Sequence, residues 1–205
     1  MKTANIGLKE YPLIVQKELE FWFQSTLGRS LLANQRTVID NEIHRLFGFH
    51  QAEIGVSHRF PVGNSSSLGH KFYVLPSWEQ DLPKNSIISN SGEIALDHDI
   101  VDLVILHHTL DFSSDPHQTL REAARILKSS GNLLIIGFNP YSLWGLRRLL
   151  STRKKAPWNM RFISGRRVED WLNLLDFKVA GVESHFYGLP VNQQGIINRS
   201  AWLNN

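Results

Sequence analysis

Apolar positions over residues 12–47 recur at the spacing of amphipathic helices. Pro12 stands where a first helical turn tolerates it, and Leu13, Val15, Leu19, Trp22 and Phe23 supply one apolar face. Gly28 is expected to break the run. A second helix is expected from about Ser30, with Leu31, Val38, Ile39, Ile43, Leu46 and Phe47 on its apolar side and Gly48 at its end. Residues 1–48 therefore read as a helical cap, packed on a core or lying as a lid over a ligand site. From residue 50 the period shortens. Residues 50–56, 71–77 and 86–90 read as short strands, and 63–69 are rich in turn residues.

The strongest pattern lies further on. Residues 101–106 (VDLVIL) form a nearly continuous apolar run, as in a strand buried on both faces. Asp115 followed by Pro116 marks a helix start, and Leu120, Ala123, Ala124 and Leu127 share one helical face. Ser129, Ser130 and Gly131 are expected to stop that helix before a second buried strand at 133–138. Two apolar strands joined by a helix make a βαβ unit with parallel strands. Residues 167–175 and 177–186 read as a further helix and strand. This alternation predicts an α/β domain over 49–205, a parallel Rossmann-like sheet between layers of helices. In such sheets ligands sit beyond the carboxyl ends of the strands. The positions that matter then follow residues 54, 75, 89, 106 and 138.

Composition narrows the function classes. The 205 residues are 42% hydrophobic and 20% charged, enough to bury a core and too apolar for disorder. With no cysteine, disulfides, thiol catalysis and cysteine–zinc sites are excluded. The net charge of +3 is too mild to argue for a nucleic-acid partner. No apolar run approaches the roughly 18 residues of a membrane span, so no membrane partner is expected and a cytoplasmic location is the expectation. His107, His108 and His117 have no carboxylate at a recognised ligand spacing, so no metal is expected.

The stretch 86–139 (SIISNSGEIALDHDIVDLVILHHTLDFSSDPHQTLREAARILKSSGNLLIIGFN) resembles the central half of class I S-adenosylmethionine-dependent methyltransferases. The small-molecule branch known as type 11 is the most similar. The matching features are Asn90-Ser91 after a strand, the acidic loop 97–99, the strand at 101–104, the His-rich turn 107–112 and the helix 120–131. Residues 167–183 are similar to a later helix and strand of the family. The resemblance implies a seven-stranded sheet of order 3-2-1-4-5-7-6 in a three-layer sandwich. The last strand is the expected exception, because 190–205 do not look like one: either the sequence stops short of it or the sheet edge is covered otherwise.

The resemblance also implies S-adenosyl-L-methionine as cofactor and a small-molecule methyl acceptor. Gly55, Ser57, Asn90, Ser91 and His107 would line the cofactor pocket. His108 would be the candidate catalytic base, and Tyr141 and Trp144 would face the substrate. Two departures stand out. The family's glycine-rich loop is reduced to Gly55, with Ser57 and His58 in the rest of the loop. The acid that ends the second strand is also missing, with only Glu79 somewhat later. These departures motivate a rival, a catalytically inactive methyltransferase-like binding module. A third reading, less favoured, is an RNA-directed methyltransferase. It rests on the basic residues Arg147, Arg148, Arg153, Lys154, Lys155, Arg161, Arg166 and Arg167, interleaved with Trp158 and Phe162.

Overall fold

The computed structural model describes residues 11–152 and 155–185. Helices α1 (Tyr11–Phe23) and α2 (Thr26–Ile43) come first, then strands β1 (His50–Gly55), β2 (His70–Leu75), β3 (Ser86–Ile88) and β4 (Val101–His107). The short α3 (Thr109–Phe112), then α4 (Pro116–Ile126), β5 (Leu127–Ile136), α5 (Leu143–Leu150) and α6 (Gly165–Asn173) follow.

The strands form one sheet of order β3-β2-β1-β4-β5, parallel throughout. This is the first five-strand portion of the expected order. Residues 177–185, expected to continue as a strand, are irregular, so among the described residues β5 is an edge. Leu133, Leu134, Ile135 and Ile136 are accordingly only half-buried, whereas Leu103, Val104, Ile105 and Leu106 of central β4 are fully enclosed. The expectation about 190–205 lies outside the described residues.

Local rules explain most boundaries. Asp115 accepts a hydrogen bond from the Gln118 N–H and caps α4, with Pro116 in its first turn, as expected. Ser129, Ser130 and Gly131 do not separate helix from strand. The chain enters β5 directly at Leu127, which is buried and pairs with Val101. The pairing then jumps so that Leu103 faces Asn132, and residues 128–131 bulge out. The α1–α2 break also falls earlier than expected. Ser25 caps α2 by accepting from the Gly28 N–H, so Gly28 lies inside the first turn. A Cβ on Gly28 would strike the Trp22 carbonyl oxygen and come within 2.6 Å of the Phe23 Cα. The glycine is there for close approach of α1, not to end a helix.

Each sheet face has its own apolar layer. On one face Val15, Leu19, Phe23, Leu31 and Ile39 from α1 and α2 pack with Leu103, Ile105, Phe138 and Trp144. On the other, Leu120, Ala123 and Ile126 of α4 pack against Ala52, Ile54, Val104 and Leu106, with Val168, Trp171 and Leu172 of α6 adjoining. The first layer puts α1 across the carboxyl ends of the strands, where the cleft lies.

Candidate functional site

A shallow cleft, partly open to solvent and with only about 20 Å³ of free space beneath α1, lies at the carboxyl ends of β1 and β2. Its floor is Val56, Ser57 and His58 after β1, and Leu75, Pro76, Ser77 and Glu79 at the end of β2. Its roof is α1, through Leu13, Gln16, Lys17 and Glu20. Ligand clefts of α/β sheets occupy this edge.

The loop after β1 is tightly held. Gly55 faces His107 across the sheet, and a Cβ there would come within 3.0 Å of the His107 Cβ. That approach accounts for the one glycine the loop retains. The Gln16 amide donates to the Gly55 carbonyl at 2.9 Å and to the Val56 carbonyl at 3.0 Å. Ser57 Oγ donates to Glu20 at 2.9 Å. Arg59 is the hub of an acidic cluster, reaching Glu20 at 2.6 Å, Glu79 at 2.8 Å and Asp81 at 2.6 Å. Hydrogen bonding to Asp81 first, then to Glu20 and Glu79, raises the Arg59 pKa, and the same contact holds Asp81 below the usual carboxylate range.

Glu53 in the middle of β1 shapes the same region from below. Its two carboxylate oxygens accept from the N–H groups of Val62 and Gly63 at 2.8 and 3.1 Å, fixing the return of the loop. Burial pushes its pKa from 4.5 up to about 7, against the pull of those two N–H groups. A carboxyl group with a higher pKa folded than unfolded binds more protons in the folded state. Its contribution to stability is therefore present below about pH 4.5 and is lost as pH rises through about 7. We expect Glu53→Gln to remove this term: urea unfolding should show the wild type losing about 2–3 kcal/mol relative to the variant between pH 5 and 8. Parallel pH profiles for the two proteins would contradict it.

Beyond β4 a buried polar chain links three elements. Gln35 of α2 sits between the two histidines. Its Oε1 accepts from His107 Nε2 at 3.1 Å, and its Nε2 donates to His108 Nε2 at 2.8 Å. An amide nitrogen only donates, so His108 accepts at Nε2 and carries its proton on Nδ1. That proton is donated to Asp111 Oδ2 at 2.8 Å, and the same oxygen accepts from the Phe138 N–H at 3.1 Å. Burial lowers the His108 pKa to about 3 and takes His107 well below its usual value, with neighbouring His108 adding to the effect on His107. Burial moves Asp111 well above its usual value, partly offset by the Phe138 N–H. His108 also holds a left-handed backbone, φ 58°, which costs a non-glycine residue about 1 kcal/mol and recurs at functional sites.

The other sequence-predicted residues are spread along the same edge. The Asn90 side-chain oxygen accepts from the Gly92 N–H, and Ser91 lies 3.4 Å from the Thr119 hydroxyl of α4. Trp144 is buried beside Trp22, Phe138 and Trp158, whereas Tyr141 is 87% exposed. Ser142 caps α5 by accepting from the Gly145 N–H. Of the basic strip, Arg147 lies over the Trp158 ring and Arg148 over the Phe162 ring. Sequence reasoning missed Gln16, Glu20, Glu53, Arg59 and Asp111. Glu53 did leave a signal, a charged residue alternating with Ala52 and Ile54 in a strand otherwise fit for burial. Among the described residues, no three His, Asp or Glu side chains group as a metal site, and no helix is long and apolar enough to cross a membrane.

Known proteins share this fold. Residues 72–135 match the family model described as a methyltransferase domain. A structure of an S-adenosylmethionine-dependent methyltransferase from Thermotoga maritima, described as a possible histamine N-methyltransferase, superposes with a TM-score of 0.69 at 22% identity. The match covers 91% of this chain and 88% of that one. The chain has the class I methyltransferase fold. The family likeness read over 86–139 is thus borne out. The YcgJ protein of Bacillus subtilis shares the fold at a TM-score of 0.58 and 13% identity, over 82% of this chain and 78% of that one. The uncharacterized protein YafS of Escherichia coli (strain K12) is 36% identical over 152 residues, 74% of this chain and 61% of YafS. The chain thus matches about three-fifths of the length of that relative.

Proposed function

We propose that this methyltransferase-fold chain binds S-adenosylmethionine in the cleft beneath α1 and catalyses methyl transfer to a small-molecule acceptor. The observation that carries the reading is the cleft itself, at the carboxyl ends of β1 and β2, lined by Val56, Ser57 and the acid Glu79, with the Gly55 and Val56 carbonyls beside it accepting from Gln16. The cofactor would supply an electrophilic methyl group on a sulfonium, a transfer that asks the protein for alignment and exclusion of water more than for covalent help.

The residues present fit such a group. Glu79, which lines the cleft just past β2, is the acid suited to a ribose diol, although it stands later than the family's acid does. The carbonyls of Gly55 and Val56, with Ser57, suit the amino-acid part, and Val56 and Leu75 offer apolar surface. Asn90, Ser91 and His107 are assigned to the same pocket on the family likeness. His108 is kept as the candidate base on the family likeness: Asp111 fixes its tautomer with the Nε2 lone pair on Gln35, and because burial lowers its pKa to about 3 it can take a proton only once Gln35 yields and the site opens to water. Trp144, within the aromatic cluster of Trp22 and Phe138, and exposed Tyr141 form the proposed acceptor wall. A cytoplasmic location goes with this reading.

The test is binding of S-adenosylhomocysteine by wild type and by Glu79→Ala. A charge-assisted hydrogen bond to the ribose predicts a loss of about tenfold to a hundredfold in affinity for the variant. Equal affinities would remove Glu79 from the site.

A further inference from the structure

We infer that the Gln16 side chain of α1 occupies the place of the cofactor's amino-acid group, so that the helix acts as a built-in plug that ligand must displace. The inference rests on the cofactor reading above. Gln16 is nearly buried, and both N–H bonds of its amide are spent on loop carbonyls, Gly55 at 2.9 Å and Val56 at 3.0 Å. Two backbone carbonyls converging on one nitrogen is the arrangement that suits an ammonium, which brings three donors and a full charge. A neutral amide is the weaker occupant, so a ligand bearing an α-ammonium can outcompete it.

A second set of contacts makes the plug part of the roof rather than a chance contact. Glu20, one turn further along α1, accepts from Ser57 Oγ and from Arg59, and Arg59 extends to Glu79 and Asp81. The helix is therefore latched to the ends of both β1 and β2, while Val15, Leu19 and Phe23 hold its other side in the core. The loop beneath carries the side chains of Ser57 and His58 where the family has glycines. The amino-acid end of a ligand is thereby confined to the space in which the Gln16 amide now sits. Rotation of that side chain about its three flexible bonds vacates the carbonyls without unseating the helix.

The experiment compares two ligands by calorimetric titration of wild type and Gln16→Ala. S-adenosylhomocysteine carries the amino-acid group; 5′-methylthioadenosine lacks it. Removing an internal competitor that makes two neutral hydrogen bonds is expected to tighten S-adenosylhomocysteine about tenfold and leave 5′-methylthioadenosine unchanged. Gln16→Met, which keeps the volume and removes the donors, should shift S-adenosylhomocysteine in the same direction and serves if the alanine variant does not fold. Unchanged or weaker S-adenosylhomocysteine binding in a folded variant would overturn the plug and leave the cofactor reading standing, because wild type would still bind. Equal tightening of both ligands would also overturn it, since that marks a loosened roof rather than a vacated subsite. Failure of both ligands with every protein would overturn the plug together with the cofactor reading.

Discussion

Replacing Phe23 with alanine is expected to destabilise the fold by about 3–5 kcal/mol, the range for a fully buried phenylalanine. The ring is completely enclosed, with centroids 5.1 Å from Trp22, 5.8 Å from Phe60, 5.6 Å from His107 and 5.8 Å from His108. These neighbours have little freedom to close the gap. The histidines are tied to Gln35 and Asp111, and β4 behind them is packed on both faces. The transfer free energy of the ring is therefore lost and the cavity penalty is incurred with little relief from collapse. Phe21, two residues away and 76% exposed, is the control, and its alanine variant should stay within about 0.5 kcal/mol of wild type. Urea unfolding midpoints decide the matter. Similar losses for the two variants would mean that α1 is not seated as described.

Asp111→Ala is expected to cost about 3–5 kcal/mol by a different route. No large apolar volume disappears. Instead the His108 Nδ1–H and the Phe138 N–H lose their acceptor in a place that water does not reach. Each buried donor left unsatisfied costs about 1–3 kcal/mol, and the strained backbone at His108 loses the contact that helps hold it. Asp111→Asn keeps an oxygen that can accept these bonds and should recover at least half of the loss. If asparagine proved as damaging as alanine, the carboxylate charge rather than hydrogen bonding would be the stabilising feature.

The fold was legible where its causes are local. The alternation of Val101–His107 with the Pro116–Ile126 helix announces a βαβ unit, and Asp115-Pro116 announces where that helix begins. Gly28 misled because its reason is a contact with α1, and helix-breaking glycines look the same in sequence. The direct step from α4 to β5 at Leu127 was hidden for a like reason: the pull of the sheet on a buried leucine outweighs the turn chemistry of Ser129-Ser130-Gly131. At the site, the expectation that functional positions follow the strands located Gly55, Ser57, His107 and His108 on the carboxyl edge. The residues that set their environment come from far along the chain. Gln35 is 73 positions from His108, Gln16 is 39 from Gly55, and Glu20 is 39 from Arg59. Nothing in local spacing marks them, because helices that close over a sheet edge meet it only after the chain has folded.

The cleft between α1 and the ends of β1 and β2 is the proposed cofactor site. Calorimetric titration of the folded wild-type protein with S-adenosylhomocysteine tests it most directly. We predict saturable one-to-one binding, weakened by Glu79→Ala. Absence of binding at millimolar ligand, in protein shown to be folded, would mean that the cleft is not a cofactor site.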